Sequence, residues 1–200
     1  MEFMIKGVRV RISFLFVSLT ALYILLAPAV WPAFFLLAVA AHETAHLIVL
    51  FAFGEPPASI ELRSFGIKIA RRGEMLSTRR ELVALASGPL ANLTLSALFF
   101  LVSHLSGLTP LLAAARINLL VAAFNLFPAG HLDGGNILRC LLELSLPPNS
   151  ARRAYFVAAW LFLLPLAVLG AVLLAAPPHS PSLLLTSAYL AFTLLRDLSR

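Results

Sequence analysis

The chain has 200 residues, of which 60% are hydrophobic and only 12% charged, with a formal net charge of +6; its mean hydropathy is +0.95. Soluble domains run at about 45–50% apolar and about 25% charged residues, so this composition excludes an ordinary soluble domain and a disordered one, and points to a chain solvated mostly by lipid. The lone cysteine, Cys140, supports neither an internal disulfide nor a thiolate cluster and reads as a small buried filler.

In chain order, Val8, Val10 and Ile12 alternate with Arg9, Arg11 and Ser13, the period of a half-buried strand. A first apolar span follows over about Ile12–Ala29, with a break at Pro28 and near Trp31–Pro32. A second covers about Pro32–Phe53 and contains His42, Glu43 and His46. The polar interval Gly54–Arg80 holds two more alternating pieces, Ile60–Glu61–Leu62–Arg63 and Ile67–Lys68–Ile69, with Phe65–Gly66 between them. Together with Val8–Ile12 these pieces form either a small interfacial sheet or a basic membrane-hugging loop. A sheet would offer an edge to an extended substrate segment.

A third span is read over Leu82–Val102 and a tight turn over Ser103–Pro110. A short fourth span covers Leu111–Phe127, and Gly130–Arg153 is a mixed segment. The fifth and sixth spans are Tyr155–Ala176 and Ser182–Leu195. Basic residues alternate with these spans. Lys6, Arg9 and Arg11 precede the first. Arg63, Lys68, Arg71, Arg72, Arg79 and Arg80 lie between the second and third, Arg139, Arg152 and Arg153 between the fourth and fifth, and Arg196 and Arg200 after the sixth. The turns after spans one, three and five contain no Lys or Arg. The expected fold is therefore an all-α multi-pass membrane protein of six helices, both termini cytosolic, with a small β-element at the cytosolic interface. This placement also accounts for the basic pI without nucleic acid, because the charges follow topology and anionic headgroups. Arg116, inside the fourth span, reads as a snorkelling side chain, and its neighbour Asn118 as a bridge between helices.

His42-Glu43-Thr44-Ala45-His46 carries the chemistry. Histidines four residues apart on a helix share a face, so both imidazoles can reach one Zn²⁺. Glu43, offset from them, is placed to take a proton from the attacking water and pass it to the leaving amine. Three polar residues inside an apolar span are costly unless satisfied, and a metal ion satisfies them together. His46 and His42 stand seven and eleven residues before Phe53, roughly 10–17 Å below the cytosolic surface at 1.5 Å per residue. A hydrolytic zinc site keeps three protein ligands and an open position, so one more donor is needed. Asp133, His131, Glu143, His104 and His179 are the candidates. His104 and His179 fall in turns on the opposite side, and Glu143 lies on an amphipathic stretch. Asp133 follows the Pro128 break and precedes Gly134–Gly135, where the backbone can turn inward; that favours it over His131 and leaves both open.

Three elements of the chain resemble the site-2 protease family of intramembrane zinc metalloproteases. They are His42–His46 in a transmembrane helix, Asn125-Leu126-Phe127-Pro128-Ala129-Gly130-His131-Leu132-Asp133-Gly134, similar to the family's Asn-x-x-Pro-x-x-x-x-Asp-Gly, and Gly88-Pro89-Leu90-Ala91-Asn92, similar to its Gly-Pro-x-x-Asn. The resemblance implies Asp133 as third ligand and Glu43 as catalytic residue. It implies that Asn125 holds substrate backbone or steadies the loop before Pro128. Gly88 would permit close helix contact and Pro89 bend its helix, while Asn92 would orient a cavity group or form an interhelical amide bond. The family implies a zinc-dependent endopeptidase acting on a single-span or membrane-associated protein, with membrane regulators as further partners. The six-span plan is most similar to the subgroup containing the stage IV sporulation protease. The chain reads as one domain over 1–200 with its core at about 32–140, without a PDZ domain between the motifs or a CBS pair after Arg200. Two rival readings are a zinc-binding membrane transporter, which would have no use for Glu43, and a non-catalytic module that binds transmembrane helices.

Overall fold

A computed structural model describes residues 2–5, 8–26, 30–55, 57–63, 66–71, 77–130, 132–177 and 179–198. Lys6, Pro28, Phe65, Arg72, His131 and Arg200, used above, lie outside the described residues. The chain falls into two units, Met1–Ala122 and Ala123–Arg200.

In the first unit, β1 (Glu2–Ile5) and β2 (Val8–Ile12) pair antiparallel, β2 pairs parallel with β3 (Pro57–Arg63), and β3 pairs antiparallel with β4 (Gly66–Arg71). The alternating pieces of the polar interval are thus a sheet rather than a loop. The structure adds β1, which the sequence reading did not identify. Parallel pairing of β2 with β3 needs a long crossover, and α1 (Phe14–Leu26) and α2 (Val30–Ala52) supply it. The register sets Glu2 opposite Arg11 and Arg11 opposite Glu61. Arg11 lies 3.0 Å from Glu2 and 3.6 Å from Glu61, a charge row that favours this register over its neighbours although each exposed pair contributes at most about 1 kcal/mol.

Ser13 starts α1 by accepting the Phe16 N–H on its hydroxyl at 3.1 Å. Helix α2 begins at Val30 and runs through Trp31–Pro32 without the expected break. Pro32 falls in the first turn, where a missing N–H leaves no intrahelical bond unmade. Helix α3 (Thr78–Ser106) ends at Gly107, whose φ of 72° lets its N–H return to the Ser103 carbonyl. Helix α4 (Thr109–Asn125) follows and runs past the division between the units.

The second unit contains the loop after α4, then α5 (Asp133–Ser145), α6 (Pro148–Ala175) and α7 (Ser182–Leu198). Tyr155, Ala159 and Leu163, at helical spacing on α6, are buried with Leu190 and Leu194 of α7 and Ala129 of the loop. Gly170 allows α6 and α7 to meet closely, since a Cβ there would stand 2.7 Å from the Leu184 nitrogen.

Among the described residues, three helices are long and apolar enough to cross a membrane: Trp31–Ala52, Thr78–Ser106 and Pro148–Ala175. The other three expected spans correspond to α1, α4 and α7, of 13, 17 and 17 residues. At 1.5 Å per residue these reach about 20–26 Å, against a hydrocarbon core of about 30 Å.

Candidate metal centre

The arrangement of α2 against α3 is written in two stripes. On α2 the inward positions are Ala38, His42, His46 and Leu50; on α3 they are Ala84, Gly88 and Asn92. Each stripe steps by four residues, one face of a helix. The helices run antiparallel, so Asn92 meets Ala38 and His42, Gly88 meets both imidazoles, and Ala84 meets His46 and Leu50. Small residues at 38, 84 and 88 permit this closeness.

Each imidazole is oriented by its Nδ1. Asn92, fully buried, donates through Nδ2 to the Ala38 carbonyl at 2.9 Å and to the Asn118 side-chain oxygen at 2.8 Å. Those two donations fix the amide so that Oδ1 faces His42, whose Nδ1–H donates to it at 2.7 Å. The His46 Nδ1–H donates to the Ala84 carbonyl at 2.7 Å, an oxygen that also accepts from the Ser87 hydroxyl at 2.7 Å. With the hydrogen on Nδ1 in both rings, both Nε2 atoms present lone pairs. They stand 3.1 Å apart. Two neutral acceptors that close repel, and a cation in the space they share would satisfy both. Two nitrogens bound to one tetrahedral Zn²⁺ at 2.0–2.1 Å lie about 3.3 Å apart, so the pair fits such an ion. Gly88 keeps that space open: a Cβ there would overlap the Nε2 atoms of both His46 and His42.

Glu43 follows His42 on α2 and is half-buried, rotated by about 100° from it around the helix axis. Asn118 of α4, 3% exposed, accepts from Asn92 and donates to the Ala114 carbonyl at 2.9 Å, so it bridges α3 and α4. Arg116 beside it is exposed. Its position on the surface of α4 is the one a snorkelling side chain needs.

In the second unit Asn125, Pro128 and Asp133 stand at the end of α4, in the loop after it and at the start of α5. Asn125 is the last residue of α4 and half-buried, as is Pro128. The loop folds tightly onto the start of α5. A Cβ on Gly134 would run into the Leu126 backbone, and one on Gly135 would stand 2.7 Å from the Gly130 carbonyl oxygen. Gly130 itself has a φ of 65°, a left-handed conformation that glycine adopts without penalty. This packing makes Asp133 the first residue of α5 with Leu132 as its cap. Asp133 thus opens α5 in the second unit, while His42 and His46 stand on α2 in the first. Of the other candidates, Glu143 lies on α5, His104 near the end of α3 and His179 beyond α6 with its Nδ1 donating to the Leu174 carbonyl at 3.0 Å.

Reading the sequence missed the groups that orient the imidazoles: the Ala84 and Ala38 carbonyls and the Ser87 hydroxyl. The signal was present in the small-residue spacing of 84 and 88 leading to Asn92, which marks a helix face made to receive a close neighbour.

Residues 102–167 match the model of peptidase family M50, a stretch that contains Asn125, Pro128 and Asp133. Rip3 of Mycobacterium tuberculosis, named a zinc metalloprotease, is 36% identical over 110 residues in each of two strains. That match covers 51% of this chain and 28% of Rip3, so this chain corresponds to little more than a quarter of its relative's length. The solved structure of the site-2 protease from Methanocaldococcus jannaschii superposes with a TM-score of 0.68 at 22% identity, over 98% of this chain and 94% of that one. That likeness establishes a shared fold.

Proposed function

We propose that this chain, which carries a peptidase family M50 (site-2 protease) domain, is a zinc-dependent intramembrane endopeptidase. The observation that carries the reading is the pair of facing Nε2 lone pairs, 3.1 Å apart on a helix long and apolar enough to cross a membrane. A transporter must release its ion, whereas locking both Nδ1 atoms to carbonyl oxygens favours permanent retention.

His42, His46 and Asp133 hold the ion in this reading, and Asp133 brings the negative charge that two neutral imidazoles lack. A Zn²⁺ held there would supply Lewis acidity toward a water molecule and a carbonyl oxygen. Glu43 takes the proton from the attacking water and delivers it to the leaving amine, so the peptide is divided into a carboxylate and an amine with its proton count balanced. Asn125 holds substrate backbone or steadies the loop ahead of Pro128.

The substrate is a single-span or membrane-associated protein. Helical peptide bonds are shielded by their own hydrogen bonds, so the segment must unwind before cleavage, and sequences with helix-weakening residues are favoured. Strands β1 and β4 are the edges of the sheet, and an unwound segment finds backbone partners there. The topology is six crossings with both termini cytosolic, supported by Arg79 and Arg80 in the first turn of α3, by Arg139 on α5 with Arg152 and Arg153 in the first turns of α6, and by Arg196 near the end of α7. The shorter helices α1, α4 and α7 then cross with local thinning of the bilayer. All of 1–200 serves as one protease domain, with membrane proteins as its regulators. The likeness to the sporulation-type subgroup rests on this short six-span plan.

Reconstitution of the purified chain in lipid with single-span substrates tests the reading. Cleavage that a chelator abolishes and added Zn²⁺ restores is expected. Cleavage indifferent to the chelator, or a purified chain that takes up no zinc, would remove it.

A further inference from the structure

The second unit contains a buried polar arrangement that the reaction above does not use. Tyr155 on α6 is 2% exposed. Its hydroxyl donates to the Gly130 carbonyl at 3.1 Å. The Arg139 guanidinium of α5 lies over its ring, 4.8 Å from the centroid, and Arg139 pairs with Asp197 of α7 at 3.3 Å. Three helices therefore meet around one phenol, which hydrogen-bonds both Arg139 of α5 and the carbonyl of the loop.

The loop atom it holds is well chosen. Gly130 stands three residues before Asp133 and occupies a left-handed conformation. A Cβ on it would lie 2.8 Å from the Thr193 hydroxyl oxygen, and the Gly130 carbonyl in turn abuts Gly135 in the first turn of α5. A rotation of the Gly130 peptide would thus turn the start of α5 and swing the Asp133 carboxylate with it. Phenylalanine would fill the same apolar space, so packing with Ala159, Leu163 and Leu190 gives no reason for the hydroxyl. A buried hydroxyl costs desolvation and is retained where its hydrogen bond fixes something.

We infer that Tyr155 is a positioning residue for Asp133: held beneath Arg139 and Asp197, its hydroxyl fixes the Gly130 carbonyl and so the direction of the carboxylate at the start of α5. The inference rests on the proposed role of Asp133 as a zinc ligand. Outer-shell partners of metal ligands typically contribute about 10–100-fold in metal affinity, and Tyr155 acts one step further out.

The test follows zinc release to a chelator from the purified, zinc-loaded full chain, together with its thermal unfolding and its kinetics on a single-span substrate. Tyr155→Phe is expected to release zinc roughly tenfold faster and to lower kcat with KM unchanged, with thermal unfolding of the metal-free protein little altered. Asp197→Asn, which weakens the grip on Arg139, is expected to act in the same direction and less, and decides the matter if Tyr155→Phe does not fold. Phe156→Leu changes the ring packed 5.5 Å from Tyr155 and should leave zinc release alone. Release from Tyr155→Phe at the wild-type rate, or lowered stability with unchanged release, overturns the inference. A wild-type chain that holds no zinc fails on the proposed function instead, so the two outcomes are separable.

Discussion

The Nδ1–H of His42 donates to the side-chain oxygen of Asn92 at 2.7 Å, across two helices fifty residues apart in sequence. Because Asn92 spends both amide hydrogens on Ala38 and Asn118, its oxygen has one direction left, and His42 has one tautomer. Asn92→Leu should therefore act on the metal as well as on the fold. We expect zinc affinity to fall about 10–100-fold and unfolding free energy to drop by about 1–3 kcal/mol as buried partners are left unpaired. Competition with a chelator and denaturant unfolding measure the two separately; unchanged affinity would mean that His42 is oriented by something else.

Gly88 stands where the two Nε2 atoms meet. Gly88→Ala should remove metal binding while preserving helix content, since the added methyl overlaps both rings and α3 can avoid it only by moving away from α2. The measurements are zinc content and circular dichroism of the purified variant. Full zinc occupancy would show that the ion, if bound, lies elsewhere.

Glu43→Gln keeps the size of the side chain and removes its basicity. Zinc content should stay at the wild-type level while cleavage falls by about 10²–10⁴-fold, the usual worth of general acid–base catalysis. A transporter or a helix-binding module would keep its function through this change, so retained cleavage and retained transport each speak against the protease mechanism.

Asp133→Ala and His131→Ala differ by two positions and should differ sharply in zinc content. Loss of zinc is expected in the first and retention in the second. The reverse result would transfer the third ligand to His131. Asp133→Ala with wild-type zinc would leave the two histidines in need of another donor.

Much of this was legible along the chain. The alternation of Val8–Ile12 and of the 60–69 region shows strands because side chains in a strand point alternately to two faces, and β2, β3 and β4 form there. The apolar runs mark α1, α2, α3, α4 and α7 within four residues, since lipid demands continuous internal hydrogen bonding, but α6 begins seven residues before its run and α5 lies in the segment read as mixed. Parallel pairing of β2 with β3 was not legible, because register between distant strands depends on where the intervening helices return the chain. The strand β1 escaped notice because Glu2–Ile5 is too short to establish a period.

The sequence by itself determined the spacings: two imidazoles on one helical face, a carboxylate beside the first of them, and an Asp-Gly-Gly stretch after the Pro128 break. Spacing along a helix is a property of the covalent chain, so these needed no partner. Only the tertiary structure decided which nitrogen of each ring carries the hydrogen. That choice belongs to acceptors from other parts of the fold, the Asn92 oxygen and the Ala84 carbonyl, brought within hydrogen-bonding distance by the close packing of α2 on α3.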